Sequence, residues 1–560
     1  MGQGAVKLSR RGILLGAAAT VSLSACQAPR DELAKITGGF AGIAQERGHL
    51  LRARELPEWK GGEIRKVHTL IAGGGVAGLS AARALRLQGM DDFALLELED
   101  AAGGNARGAQ MAGMQHPLGA HYLPVPGDAA PEVQDFLEEL GVRRRLHGRW
   151  VYDEKALCHS PQERLYFNGA WQEGLLPMQG VSAQTLLQYQ RFAKLVSDWR
   201  ASGAFSMPLR PFLKQKWQIA GMESALNAIT FIAYLNQQQL TDPHLRWYLD
   251  YCCRDDYGAG IDTVSAFAGI HYFAARHGFA APGEGSAEKE GVLTWPQGNA
   301  YLTQALAQPL KERLHTAQVI LRIEEQKSGV LIDALNTATG QVQRWQAERC
   351  IVALPMHVAA RVVINAPEFL KQATARTVHS SWWVANIHIS APLHDDGKGA
   401  FPSWDNVIYG SKGLGYVDAM HQSTRPVPGE TVLTYYHASG AGLDARRALL
   451  QSSWAQLRDQ ALADLNAAHP DITRLARQIN ITRYGHAMAV PTPEATTYFL
   501  SQIGHQPAKN MRGVLLNKEQ INRYPTLSPP ATARLRFAHS DWSGLSVFEE
   551  AFTRGLHAVL

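Results

Sequence analysis

The chain has 560 residues, 46% of them hydrophobic and 19% charged. That is the balance of a globular protein of roughly two to four domains or lobes, and it excludes disorder throughout. The 51 glycines and 27 prolines follow no triplet period, which excludes a collagen-like chain. The formal net charge is +5, of which Lys7, Arg10 and Arg11 supply three, so the remainder is near balance and no Lys/Arg cluster able to track phosphates stands out; no nucleic-acid partner is expected. The five cysteines lie at 26, 158, 252, 253 and 350 with no C-x-x-C, so neither a zinc ribbon nor a disulfide framework is expected.

The first element is an address. Lys7-Leu8-Ser9-Arg10-Arg11 precedes an apolar run, Ile13 to Ala25, that spans about 20 Å as a helix and is too short to cross a bilayer. Leu23-Ser24-Ala25-Cys26 resembles a lipobox, in which Cys26 is acylated and becomes the new N-terminus; the other reading is a plain signal peptide with Cys26 incidental. Residues 1–25 are expected to be a twin-arginine signal peptide for export in the folded state. The mature protein would then be periplasmic and touch the membrane only through its N-terminal lipid. Residues 26–65, with Gly38-Gly39, Pro57 and Gly61-Gly62, read as a tether.

Val67 to Ala72 has the character of a buried parallel strand and runs into Gly73-Gly74-Gly75-Val76-Ala77-Gly78. A helical face follows at Gly78, Ala81, Ala82 and Leu85, then a strand, Phe93 to Leu96, ending at Glu97, 24 residues after Gly73. The order is strand, G-x-G-x-x-G, helix, strand, acid. Gly73 allows the tight turn, Gly75 the approach of a pyrophosphate, and Gly78 close packing of helix on strand. The N–H groups of Val76 and Ala77 open the helix toward phosphate, and Glu97 can accept from a ribose diol.

Gly103-Gly104 follows Glu97 at six and seven residues, with Asn105 and Arg107 beyond. This spacing resembles the FAD fingerprint of the flavin-containing amine oxidase and phytoene desaturase-like family, of glutathione-reductase-like fold. Asn105 stands where that family has arginine, so either Asn105 or Arg107 could reach the phosphates. Leu118-Gly119-Ala120-His121-Tyr122 is similar to the family's stretch beside the isoalloxazine ring. Val319, in the strand Val319 to Ile323, matches the position whose backbone pairs with adenine, and Cys350 to Pro355 matches the strand returning to the FAD domain. Leu535 to Asp541 resembles the final strand whose acid, here Asp541, contacts the cofactor. Ser546-Val547-Phe548-Glu549 reads as a capping box opening the last helix, whose N-terminus near Val547 the resemblance aims at the flavin.

Residues 180–280 read as an amphipathic helical lobe. Asp255-Asp256 could attract a cationic substrate or form a solvated face. Residues 378–440 alternate as strands, with Trp382-Trp383, Trp404 and Tyr435-Tyr436. The resemblance implies a pair of rings facing the flavin, for which Tyr484 and Trp542 are the candidates, and His121, His357 and His486 are possible acid–base groups. Many family oxidases carry a substrate-domain lysine near flavin N5; between 366 and 400 only Lys371 and Lys398 occur, neither in an apolar strand, which favours a dehydrogenase. No H-E-x-x-H, G-x-S-x-G or Walker loop is present, and no metal is expected.

The expected fold class is α/β: a discontinuous Rossmann-like FAD-binding domain with a mostly parallel sheet, from residues 66–125, 290–365 and 505–560. An α+β substrate domain, with a mixed sheet and a helical lobe, would take residues 126–289 and 366–504. The resemblance implies noncovalent FAD, a small-molecule substrate, and a quinone, a protein or O2 as electron acceptor. It implies hydride transfer from a C–H next to an amine nitrogen. The alternatives are a desaturase- or protoporphyrinogen-oxidase-like enzyme on an apolar substrate, and a non-catalytic flavin-binding lipoprotein.

Overall fold

The computed structural model describes residues 28–158, 162–210, 213, 223–282, 291–395, 397–423, 425, 427–502 and 530–559. The signal segment, Cys26 and the loop 283–290 lie outside the described residues, as does much of the span 505–530.

Two sheets dominate. The first has seven strands, in the order Leu314–His315, Phe93–Leu96, Ile64–Ala72, Gln341–Val352, Gly329–Asn336 and Gln318–Gln326, with Leu535–Phe537 also paired to Gln341–Val352. The apolar strand ahead of the glycines pairs in parallel with Phe93–Leu96 on one side and with Gln341–Val352 on the other. Leu70, Ile71 and Ala72 are fully buried there, because a parallel strand covered on both faces has no solvent side. Strand Gln341–Val352 is long enough to serve two purposes. Its first half closes an antiparallel meander with Gly329–Asn336, and its second half joins the parallel sheet and the final strand.

Helix Val76–Leu87 lies under this sheet and meets the last helix, Phe548–Val559. The contact is backbone-close. A Cβ on Gly555 would come within 2.0 Å of the Ala77 carbonyl, and the Ser80 hydroxyl donates to the Phe552 carbonyl at 2.6 Å. The first and last elements of the cofactor region are thereby fixed to each other.

The second sheet has eight strands and is mixed. Val378–Ile389 lies near its centre, antiparallel to both Thr431–Ala441 and Ala476–Val490. Its edge is Thr37–Phe40, parallel to Ala476–Val490. This corrects the reading of residues 26–65 as a tether, since part of that stretch is built into the body. The Ala44 N–H donates to the Glu99 carboxylate, and Leu51 is buried. Helices Ala183–Ser202, Phe231–Gln237, Pro243–Tyr257 and Ala266–His271 form the expected helical lobe, capped by Ser182, Thr230, Asp242 and Ser265 side chains.

Candidate active site

The glycine turn is the floor of a cavity of about 450 Å³ that runs between the two sheets. Gly73 has φ +103, and a Cβ there would meet the Ala353 carbonyl at 2.5 Å. A Cβ on Gly78 would lie 1.9 Å from the Gly73 carbonyl, so Gly78 packs helix against strand and does not line the cavity. A Cβ on Gly75 would meet nothing within 4 Å, on the open side of the turn. No side chain caps the helix at Gly75, which leaves its first N–H groups without a side-chain acceptor. Open backbone, an uncapped helix start and a cradle empty of side chains fit a dinucleotide's pyrophosphate.

Glu97 is fixed from two sides. One carboxylate oxygen accepts the Gly74 N–H at 2.7 Å and the other the Glu99 N–H at 2.9 Å. Burial raises its pKa, opposed by those two N–H groups. Gly103 and Gly104 have φ +135 and +56, and the Gly103 N–H donates to the Gly74 carbonyl at 2.8 Å, so the second glycine pair is stitched to the first. Asn105 lines the cavity, and its amide donates to the Ala487 carbonyl at 2.7 Å. Arg107 does not line it. Its guanidinium bonds the carbonyls of Gly42 and Gly104 and lies 3.5 Å from Glu99, which ties the segment before the sheet to the fingerprint loop. Of the two candidates for the family's arginine place, Asn105 is therefore the one on the cavity wall.

Gly73, Gly74, Gly75, Val76, Ala77, Glu97, Gly103, Gly104, Gly119, Ala120, Val319, Asp541 and Val547 all meet on that wall. Asp541 Oδ2 accepts the Met356 N–H at 3.0 Å, with His379 at 3.3 Å and His539 at 3.2 Å from its carboxylate oxygens. Burial works to raise the Asp541 pKa, but His539 and His379 outweigh it and hold the carboxyl well below the usual range. Ser546 forms no capping box. The helix starts at Phe548, and the Ser546 hydroxyl instead accepts the Ala489 N–H at 3.0 Å, which locks the helix entry to the second sheet.

Tyr484 and His121 also reach the cavity, but Trp542 does not. Trp542 packs in the core against Phe369 and Phe537, with ring centroids 6.0 and 5.8 Å away. The short helical turn Ser540–Trp542 sends neighbouring side chains in different directions, so proximity to Asp541 in sequence does not carry Trp542 to the wall. Tyr484 donates to the Leu118 carbonyl at 2.9 Å. Further rings cluster near the same wall. His121 stacks on Tyr436 at 4.4 Å, with Tyr122 at 5.0 Å and Trp404 at 5.5 Å, and Trp382 lies 6.3 Å from Tyr436. Burial holds the His121 imidazole down at about 3, so it is neutral at physiological pH. His486 also lines the cavity and stacks on His357 at 4.0 Å; burial brings them down to about 3 and about 2.

The acidic pair is not a solvated face. Asp255 and Asp256 both line the cavity. Both oxygens of Asp256 accept from Arg276 Nη1 at 2.7 Å, while Glu549, from the last helix, lies 3.7 Å from Arg276 Nε. Two carboxylates thus share one guanidinium. Among the described residues, Asp255 accepts only from the Tyr122 hydroxyl, at 3.4 Å, and one oxygen of Glu549 is buried without a partner. Burial, then the charge of Asp256, pushes the Asp255 carboxyl up to about 7. Arg276, His379 and Leu51 escaped the sequence reading, which took Glu549 only as a helix cap. Leu51 carried no signal. Arg276, His379 and Glu549 are polar residues within apolar patterns, and their burial is settled only by packing. No lysine is among the described residues that line the cavity, and no metal-binding group of His, Cys, Asp or Glu is found among the described residues.

Among curated proteins, none matches this chain in sequence. Solved structures resemble it in fold. Wild-type putrescine oxidase bound to putrescine aligns with TM-score 0.60 at 16% identity, covering 89% of this chain and 99% of that one. Cyclohexylamine oxidase from Brevibacterium oxydans IH-35A aligns with TM-score 0.60 at 14% identity, over 88% and 98%. A fatty acid isomerase from P. acnes aligns with TM-score 0.54 at 14% identity, over 88% and 97%. Residues 76–559 match the family model of flavin-containing amine oxidoreductases. The glycine turn, Glu97, the second glycine pair and Asp541 stand inside that match or at its edge, and the chain belongs to the flavin-containing amine oxidoreductase family as an FAD-dependent oxidoreductase.

Proposed function

We propose that this enzyme oxidises a small amine that carries a cationic ammonium, and that Asp255 anchors that ammonium. The observation that carries the reading is one cavity whose wall joins the dinucleotide turn to a chamber of carboxylates and aromatic rings. Bound against this wall, a flavin would supply two-electron chemistry, the removal of a hydride from the C–H next to the amine nitrogen to give an imine that water hydrolyses. The chain's own groups bind and orient. A carboxylate that accepts from the Tyr122 hydroxyl, in a chamber also lined by His121 and Tyr436, suits an ammonium by charge. Neutral His121 does not repel it.

Residues 66–125, 290–365 and 505–560 are read as the FAD domain and the intervening segments as the substrate domain. No cysteine lines the cavity among the described residues, which supports FAD held without a covalent bond. That no lysine lines that wall among the described residues supports a quinone or a protein as the electron acceptor. Export by the twin-arginine route, with Cys26 acylated at the periplasmic face, remains part of the proposal and rests on Arg10-Arg11 and Leu23–Cys26.

Anaerobic titration of the yellow enzyme with monoamines, diamines and apolar polyenes, followed by admission of air, tests the assignment. Bleaching by amines, fastest with diamines and reversed only slowly by air, is the expected outcome. Bleaching by a polyene alone would overturn the amine reading. Asp255→Asn should raise KM for a diamine about tenfold or more while leaving a monoamine's KM little changed.

A further inference from the structure

The hairpin of strands Arg143–Leu146 and Arg149–Tyr152 stands outside both sheets and takes no part in the cavity. Its two-residue turn, His147-Gly148, has both φ values positive, at 48 and 81, the conformation that matches strand twist in a tight hairpin. From Arg144 to Trp150 every residue is exposed. Leu146 and Trp150 remain 49% and 46% exposed, among the largest exposed apolar side chains described. Arg145 donates to the Gly148 carbonyl at 3.4 Å and lies 6.0 Å from the Trp150 ring centroid, and Arg143, at the base, is the one in the hairpin that pairs with an acid among the described residues. It pairs with Glu138 and lies 3.8 Å from the Trp150 ring centroid. Arg144, Arg145 and Arg149 make no ion pair among the described residues, and no acid lies between residues 140 and 152. Cross-strand pairing divides the tip into two faces. Arg145 stands opposite Trp150 on one, and Leu146 opposite Arg149 on the other, so each face carries a guanidinium beside an apolar side chain.

We infer that this hairpin docks on the surface of an anionic phospholipid bilayer. Guanidinium groups take phosphate oxygens in pairs, and each arginine near an anionic leaflet adds to the attraction. Leu146 and Trp150 lie at the same tip, and such side chains settle at the boundary of headgroups and acyl chains. Four residues per strand reach about 13 Å, which is a point of contact and not a track along a polynucleotide. The inference rests on the hairpin alone and holds whether or not Cys26 is acylated.

The test is sedimentation of the FAD-loaded full chain carrying Cys26→Ser with vesicles of phosphatidylcholine alone or with one-third phosphatidylglycerol added. The partition coefficient should be at least about tenfold higher on the anionic vesicles and fall as salt rises. The variant Arg144→Gln/Arg145→Gln/Arg149→Gln should lose about fivefold for each arginine removed, with unchanged flavin absorbance and Tm. Leu146→Ser should weaken binding at unchanged salt dependence. Equal sedimentation of parent and triple variant on anionic vesicles would overturn the inference. Equally tight retention on a DNA oligonucleotide and on the vesicles would also overturn it, in favour of generic polyanion binding.

Discussion

Asp255 titrates near 7 in the fold against about 4 in an unfolded chain, and the direction of that shift has consequences. A raised carboxyl pKa means that the folded chain holds the proton more tightly. The contribution to stability is full below about pH 4 and is lost as pH rises through 7. Asp255→Asn removes the titration, so its Tm should exceed that of the parent at pH 8, with the gap closing toward pH 4, as read by thermal melts across that interval. Binding of a diamine should bring the charge back, releasing up to one proton near pH 6. Calorimetry in buffers of different ionisation enthalpy measures that release. Gly78 answers to geometry instead of charge. A Cβ 1.9 Å from the Gly73 carbonyl leaves no room between helix and strand, so Gly78→Val should abolish FAD retention, seen as purified protein without flavin absorbance.

Among the elements, the turn Tyr272–His277 acts through Arg276, which holds Asp256 of helix Pro243–Tyr257 and faces Glu549 of helix Phe548–Val559. All three side chains are buried. Arg276→Met leaves two carboxylates with no cation between them and should cost about 3–5 kcal/mol in urea unfolding; adding Asp256→Asn should recover part of that loss. The strand–glycine–helix unit was legible in the sequence because every constraint in it is local: a turn that forbids side chains, a helix face of small residues, an acid one strand later. The chamber was less legible. Asp255 and Asp256 look like any acidic pair until Arg276 and the final helix enclose them, and Trp542 looked like a cavity ring only because its neighbour Asp541 reaches the wall. The stretch before residue 64 is polar and rich in glycine, yet Thr37–Phe40 joins a sheet because Ala476–Val490 offers an unpaired edge, a partner more than 430 positions away.

At the scale of the whole molecule, the two sheets are joined by the wall they share. FAD binding should therefore stabilise both together, raising unfolding free energy by about 2.7 kcal/mol at a free concentration one hundred times Kd. Circular dichroism and flavin fluorescence should then report one coincident transition, and two separate transitions would show that the sheets melt independently.

The lining of the cavity begins at Leu51 and ends at Ala551. Until residues 546–551 have been made and have folded against the helix that opens at Val76, one side of the enclosure is missing. Coenzyme capture should then follow the joining of these two distant stretches and not precede it.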